Sequence, residues 1–150
     1  MDNNERINAN DYLHKLSLDP RILRMKSYVQ HGHTTTYDHV FHVAKMSIAL
    51  TPLFFDKSDQ VEICTAAVLH DYYLYDWHNH GDRLHGFHHP YIAAENAKRD
   101  FNISNHVSSM IKSHMWPLNF QEFPKCRGAW IITIADKIVS IEETIGDRLT

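Results

Sequence analysis

The chain has 150 residues, 43% of them hydrophobic, and a formal net charge of −3 with histidine neutral. That is one domain's length with apolar side chains enough for a core, and the charge argues against non-specific nucleic-acid binding. No apolar run approaches the roughly 18 residues that a membrane span needs.

The stretch MDNNERINAND is polar, unlike a signal peptide. Cys64 and Cys126 stand far apart with no CxxC, which fits a reducing compartment better than a disulfide framework or zinc ribbon. The expected setting is cytoplasmic, with no nucleic-acid or membrane partner. A homodimer stays open on general grounds. The unusual figure is 13 histidines, five of them in HNHGDRLHGFHH (His78, His80, His85, His88 and His89). Histidine is the commonest metal ligand.

In chain order, SLDPRILRMKSYVQHG predicts a helix capped by Asp19, opened by Pro20 and stopped by Gly32. TTTYDHVFHVAKMSIALTPLF starts at a threonine cap and sets Val40, Val43, Ala44 and Ile48 on one face. SDQVEICTAAVLHDYY starts at Ser58 and aligns Val61, Cys64, Thr65, Val68, Leu69 and Tyr72. Residues 76–88 read as a loop. HPYIAAENAKRDF opens a helix at Pro90, and SNHVSSMIKSHM opens another at Ser104, presenting Val107, Met110, Ile111 and His114. A loop with Pro117 and Pro124 follows.

AWIITIADKIVSIEETI is rich in β-branched residues, which favour strands. Ile131, Ile134, Ala135, Ile138, Ile141 and Ile145 nevertheless repeat at helical spacing, so a helix is expected. No alternating strand pattern stands out. The expected fold is all-α, a single domain of about six helices around a metal site.

Polar residues interrupt these apolar faces. His39 and His42 share one helix, His70 and Asp71 close the next, His114 ends another, and Asp136 falls within the isoleucine-rich helix. Buried aspartate is rare unless paired, and one cation would satisfy the set. Imidazole nitrogen with carboxylate oxygen suits Fe, Mn, Zn or Ni. Helical neighbours point about 100° apart, so His70 and Asp71 can share an ion only at the helix end. Distant partners must then close over it: His39 or His42, and Asp136.

The order H … HD … D resembles the HD-domain metal-dependent phosphohydrolases. TTTYDHVFHVA resembles the family's first-histidine helix, with His39 in the ligand position. AAVLHDYYLYDW resembles the HD helix, HGFHHPYIAAENA and IKSHMWPL the intervening segments, and IITIADKI the last-aspartate helix. Small bacterial stand-alone HD proteins look most similar. The resemblance spans about 32–142, with about 1–31 as an N-terminal helical extension of the single domain 1–150.

The resemblance implies that His39, His70, Asp71 and Asp136 bind one metal. In some branches two further histidines, here His89 and His114, bind a second, with Asp71 bridging. Branches with the fullest binuclear sites often carry another histidine after the second of these. Met115 stands there, so the second metal is less well supplied. The lysine that follows the HD pair in cyclic-dinucleotide-cleaving members is absent, as is a glycine-tyrosine-proline motif after His114. That substrate class is set aside.

The expected activity is hydrolysis of a phosphate ester of a nucleotide or other small molecule by metal-activated hydroxide, with Asp71 and His85 catalytic. The expected cofactor is one or two divalent transition metals, Fe or Mn first, then Ni, Co, Zn or Mg. His85 or His88 would protonate the leaving oxygen. Arg83, Lys137 and, more weakly, Lys112 would hold phosphate. The alternatives are an HD-type di-iron oxygenase and a non-catalytic metal- or nucleotide-binding regulatory module.

Overall fold

The structure is a computed structural model that describes residues 8–54, 60–75 and 84–149. Among the described residues, seven α-helices carry most of the chain: α1 (Ala9–Ser17), α2 (Pro20–Leu23), α3 (Thr36–Leu50), α4 (Gln60–Leu69), α5 (His85–Phe101), α6 (Asn105–Ser113) and α7 (Arg127–Leu149). Two strands, β1 (Val29–His31) and β2 (Thr34–Thr35), pair antiparallel. The protein is thus mostly all-α, with one helix more than the sequence indicated.

Helix α4 organises the core. Ile63, Cys64, Ala66, Ala67, Val68 and Leu69 are all buried, so apolar side chains cover nearly the whole circumference. A helix apolar all round belongs in the interior. It packs against α3, α6, α1 and α7. His70 and Asp71 follow directly where α4 ends, so both are delivered to the middle of the molecule, 0% and 3% exposed.

The turn beyond is tied down. Tyr72 is fully buried and its hydroxyl donates to Asp100 Oδ2 at 2.9 Å, while Asn96 Nδ2 donates to Tyr72 O at 3.1 Å. Capping follows the sequence at three helices. Asp19 accepts from Arg21 N, Thr35 from Asp38 N, and Ser104 from Val107 N. Such caps contribute about 1 kcal/mol each. The cap assigned to Ser58 lies outside the described residues.

Four expectations are corrected. The helix begun at Pro20 lasts one turn, gives way to a 3-10 turn at Arg24–Ser27, and the chain then extends as β1. Gly32, at φ +48°, turns it into β2, so a short ribbon exists where no strand was expected. Second, α5 begins at His85, not Pro90. Phe87 N and His88 N already donate to Leu84 O, and Pro90 forgoes only its own bond within the helix.

Third, the loop expected through residue 88 therefore ends earlier. Fourth, α7 is helical, but its buried stripe runs through Ile132, Ala135, Asp136 and Val139, with Ile131 beside it. Ile141 and Ile145 are 60% and 53% exposed. The α1 helix, capped by Asn8, buries Ala9, Leu13 and Leu16 and is fastened to α4 by a 2.8 Å bond between Tyr12 and Thr65 hydroxyls.

Candidate metal centre

Five elements send side chains to one point. His39 comes from α3, His70 and Asp71 from the end of α4, His89 from α5, His114 from the C-terminus of α6, and Asp136 from α7. All six are buried, His39 and His70 completely. In the first group, His39 Nε2 lies 3.0 Å from Asp136 Oδ1 and 3.5 Å from Asp71 Oδ2. His70 Nε2 lies 3.4 Å from Asp71 Oδ2 and 3.5 Å from Asp136 Oδ1.

A second group surrounds the other oxygen of the same carboxylate. Asp71 Oδ1 is 3.1 Å from His89 Nε2 and 3.5 Å from His114 Nε2, and those two nitrogens are 2.9 Å apart. Asp71 thus turns one oxygen to each histidine pair.

The outer ring nitrogens fix the tautomers. Nδ1 of His70 faces Ala67 O at 2.6 Å, that of His89 faces His85 O at 2.8 Å, and that of His114 faces Ile111 O at 2.7 Å. A carbonyl only accepts, so each Nδ1 carries the proton and each neutral ring offers a lone pair at Nε2. His39 Nδ1 likewise faces Glu143 Oε2 at 2.8 Å. Ring Nε2 atoms and carboxylate oxygens therefore converge on one region. His70 Nε2 and Asp71 Oδ1 are buried without a hydrogen-bond partner, an arrangement that costs of the order of 1–3 kcal/mol per group.

A cation resolves that arrangement. Bonds of about 2.1 Å to nitrogen or oxygen place neighbouring ligand atoms about 3.0 Å apart at right angles and about 3.4 Å apart at tetrahedral angles. The observed spacings of 2.9 to 3.5 Å match that range to within about 0.1 Å. His39, His70 and Asp136, and His70, Asp71 and His114, are buried groups that can hold a metal ion. The nitrogen and oxygen donors present fit a bound metal ion.

Electrostatics follow from the same packing. Burial pushes His39 down, but its hydrogen bonds to Asp136 and Glu143 outweigh this and raise it to about 9. Burial likewise disfavours charge on His70, and the adjacent Asp71 carboxylate overrides it, raising the ring well above the ordinary histidine range. Asp71 and Asp136 are held well below the ordinary carboxylate range despite burial, Asp71 by the charge of His70 and Asp136 by its bond to His39. Burial lowers His114. The protons held on His39 and His70 are those a cation would displace.

A cleft of about 1110 Å³ opens onto the cluster. Asp71, His89, His114 and Asp136 form its floor, with His31, His85, Lys137 and Ile141 among the side chains on its walls. His39 and His70 lie behind the floor. His85 Nδ1 bonds Tyr75 Oη at 2.6 Å, and its ring stacks on His89 with centroids 4.6 Å apart. Lys137 Nζ reaches His114 O at 3.4 Å, and burial lowers its pKa.

The other sequence-derived residues fall elsewhere. Lys112 is half-buried on α6 and does not line the cleft. Arg83, His78 and His80 lie outside the described residues. His88 is exposed, and His42 points away from the cluster toward Glu142 and Glu143. Trp116 packs with Trp130 and Phe123.

Three residues not inferred from the sequence belong to the surroundings. Gln30 Nε2 donates to Asp71 Oδ2 at 2.8 Å, while Gln30 Oε1 accepts from Tyr73 at 2.7 Å. Glu143 orients His39. His31 sets its ring edge-on to His39, centroids 5.8 Å apart, with Nε2 buried and without a partner. Gln30 and His31 precede the expected core boundary at residue 32. Glu143 had one signal, its place seven residues, two helical turns, after Asp136.

Among the described residues, no helix is long and apolar enough to cross a membrane. In comparisons with known proteins, no family model, no curated protein and no solved structure matches this chain.

Proposed function

We propose that the protein is a metal-dependent phosphohydrolase of the HD type, cleaving a phosphate ester of a nucleotide or other small molecule. One observation carries this reading: Asp71 directs Oδ2 toward His39 and His70 and Oδ1 toward His89 and His114, at 3.1 to 3.5 Å. A carboxylate so placed can bridge two cations. His39, His70, Asp71 and Asp136 would hold one, and His89, His114 and Asp71 the other, Fe or Mn being the first choice. Bound there, divalent cations supply water activation near neutral pH and neutralise charge on the phosphoryl oxygens.

The chain's own groups have separate tasks. Lys137 offers an ammonium on the cleft wall, and among the described residues no carboxylate lies within ion-pairing distance of it. It binds a non-bridging phosphoryl oxygen. His85, stacked on His89 and held by Tyr75, is placed to hand a proton to the leaving oxygen. The overall step adds water across the P–O bond: a water oxygen joins phosphorus, the ester oxygen leaves with a proton, and phosphate and an alcohol result. Gln30 holds Asp71 in orientation, and Glu143 holds His39.

The test is a phosphoester panel run with Mn- or Fe-loaded protein with and without oxygen. Hydrolysis that proceeds anaerobically supports the proposal. Product formation that requires O₂ points to the oxygenase, and metal binding without any turnover points to a regulatory module.

A further inference from the structure

The cleft lining mixes polar and apolar groups. Beside the polar floor and Lys137, part of the wall is apolar: Met115, Pro117 and Leu118, which follow α6, and Ile141, one turn beyond Lys137 on α7. Leu118 is 46% exposed and Ile141 60% exposed, so large aliphatic surface faces the opening. Apolar surface gathered beside a polar floor marks a binding site for an apolar group.

The wall is fixed in place. Asn119, buried at 8% exposure, donates to Phe87 O at 3.1 Å, and Leu118 N donates to Met115 O at 2.9 Å. Gly86 lets the segment approach α5 closely, since a Cβ there would stand 3.0 Å from a Leu118 methyl. Among the described lining residues Lys137 is the one lysine or arginine. That ammonium beside the His/Asp cluster can hold one phosphate.

We infer that the substrate is a phosphate monoester with an apolar organic group, its phosphate at Lys137 and the His/Asp cluster and its organic part along Met115, Pro117, Leu118 and Ile141. This rests on the hydrolase reading above and narrows it to a substrate class. Covering that wall removes apolar area from water, worth about 0.8 kcal/mol per methylene fully buried, or about a fourfold gain.

The experiment measures kcat/KM of the Mn-loaded full chain for linear alkyl phosphates from methyl to hexyl, with glycerol phosphate and a nucleoside triphosphate for comparison. Alkylphosphonates of the same lengths are titrated calorimetrically without oxygen. The expected result is a rise of about two- to fourfold per added carbon in both series, and a flatter rise in Leu118→Asn and Ile141→Asn. Esters hydrolysed with no dependence on chain length, or a preference for glycerol phosphate or the triphosphate, would overturn the inference and leave the hydrolase reading standing. Should no ester be hydrolysed, phosphonate affinity that climbs with length sustains the apolar-ligand inference while the hydrolase reading fails. Flat phosphonate affinity removes the inference whatever the turnover.

Discussion

The Nε2 atoms of His89 and His114 lie 2.9 Å apart while each ring's Nδ1 is engaged by a backbone carbonyl. Two neutral rings held this way aim lone pairs at each other, and Asp71 Oδ1 adds a third acceptor. The first prediction concerns ligand loss. His114→Ala should keep one metal per chain and lose the other, whereas Asp71→Asn should lose both along with hydrolysis. Elemental analysis after desalting measures this. Full metal content in Asp71→Asn would refute the shared-carboxylate role.

The second prediction tests the layer around the ligands. Gln30 and Glu143 touch Asp71 and His39, not the opposite pair. Gln30→Leu and Glu143→Gln should each weaken metal affinity by about 10- to 100-fold with helicity unchanged. Chelator competition and circular dichroism separate the two effects.

The third is a pH dependence with a definite sign. In metal-free protein, His39 is raised from 6.5 to about 9. Its protonation stabilises the fold fully below pH 6.5, and that contribution is lost as pH rises through 9. Asp71 and Asp136 are depressed from 3.8, so they stabilise above that pH and cease to as pH falls through their lowered values. The apo-protein Tm should therefore decline from pH 6.5 to 9. Cations compete with those protons, so metal-induced stabilisation should grow over the same window. A metal increment that shrinks with pH would contradict the ligand assignment.

The fourth concerns Lys137. If its half-buried ammonium holds phosphate as proposed, removing it should lower kcat/KM by roughly 10- to 100-fold, from the about 1.5–3 kcal/mol of a charged hydrogen bond, with metal content intact. Lys137→Ala kinetics beside elemental analysis decide it.

The fifth is structural. A Cβ at Gly128 would sit 2.8 Å from Met110 Sδ and 3.4 Å from Ile63 Cγ1. Gly128→Val should destabilise the protein by about 1–3 kcal/mol through overpacking between α7, α6 and α4. Urea unfolding checks the value.

Much of the site was legible because polar residues at helical spacing broke otherwise apolar faces. His70 and Asp71 stand out because α4 is apolar nearly all round, and Asp136 because isoleucines surround it. Gln30 was not legible, since it sits in a short ribbon whose pairing is set by tertiary packing. The start of α5 was misplaced because proline favours a helix's first turn, yet here a helix already begun at His85 tolerates it. In α7 the helical period was right and the face was not. Isoleucine occurs on several sides of that helix, so spacing alone could not separate the core stripe through Ile132 and Val139 from the exposed Ile141 and Ile145. Choosing His39 over His42 needed the family resemblance, because both lie on one helix one turn apart.

The most direct test of the central claim is the electron paramagnetic resonance spectrum of protein loaded with two equivalents of Mn(II). Shared coordination through Asp71 predicts an exchange-coupled pair. A spectrum of isolated Mn(II) ions at that loading would contradict it.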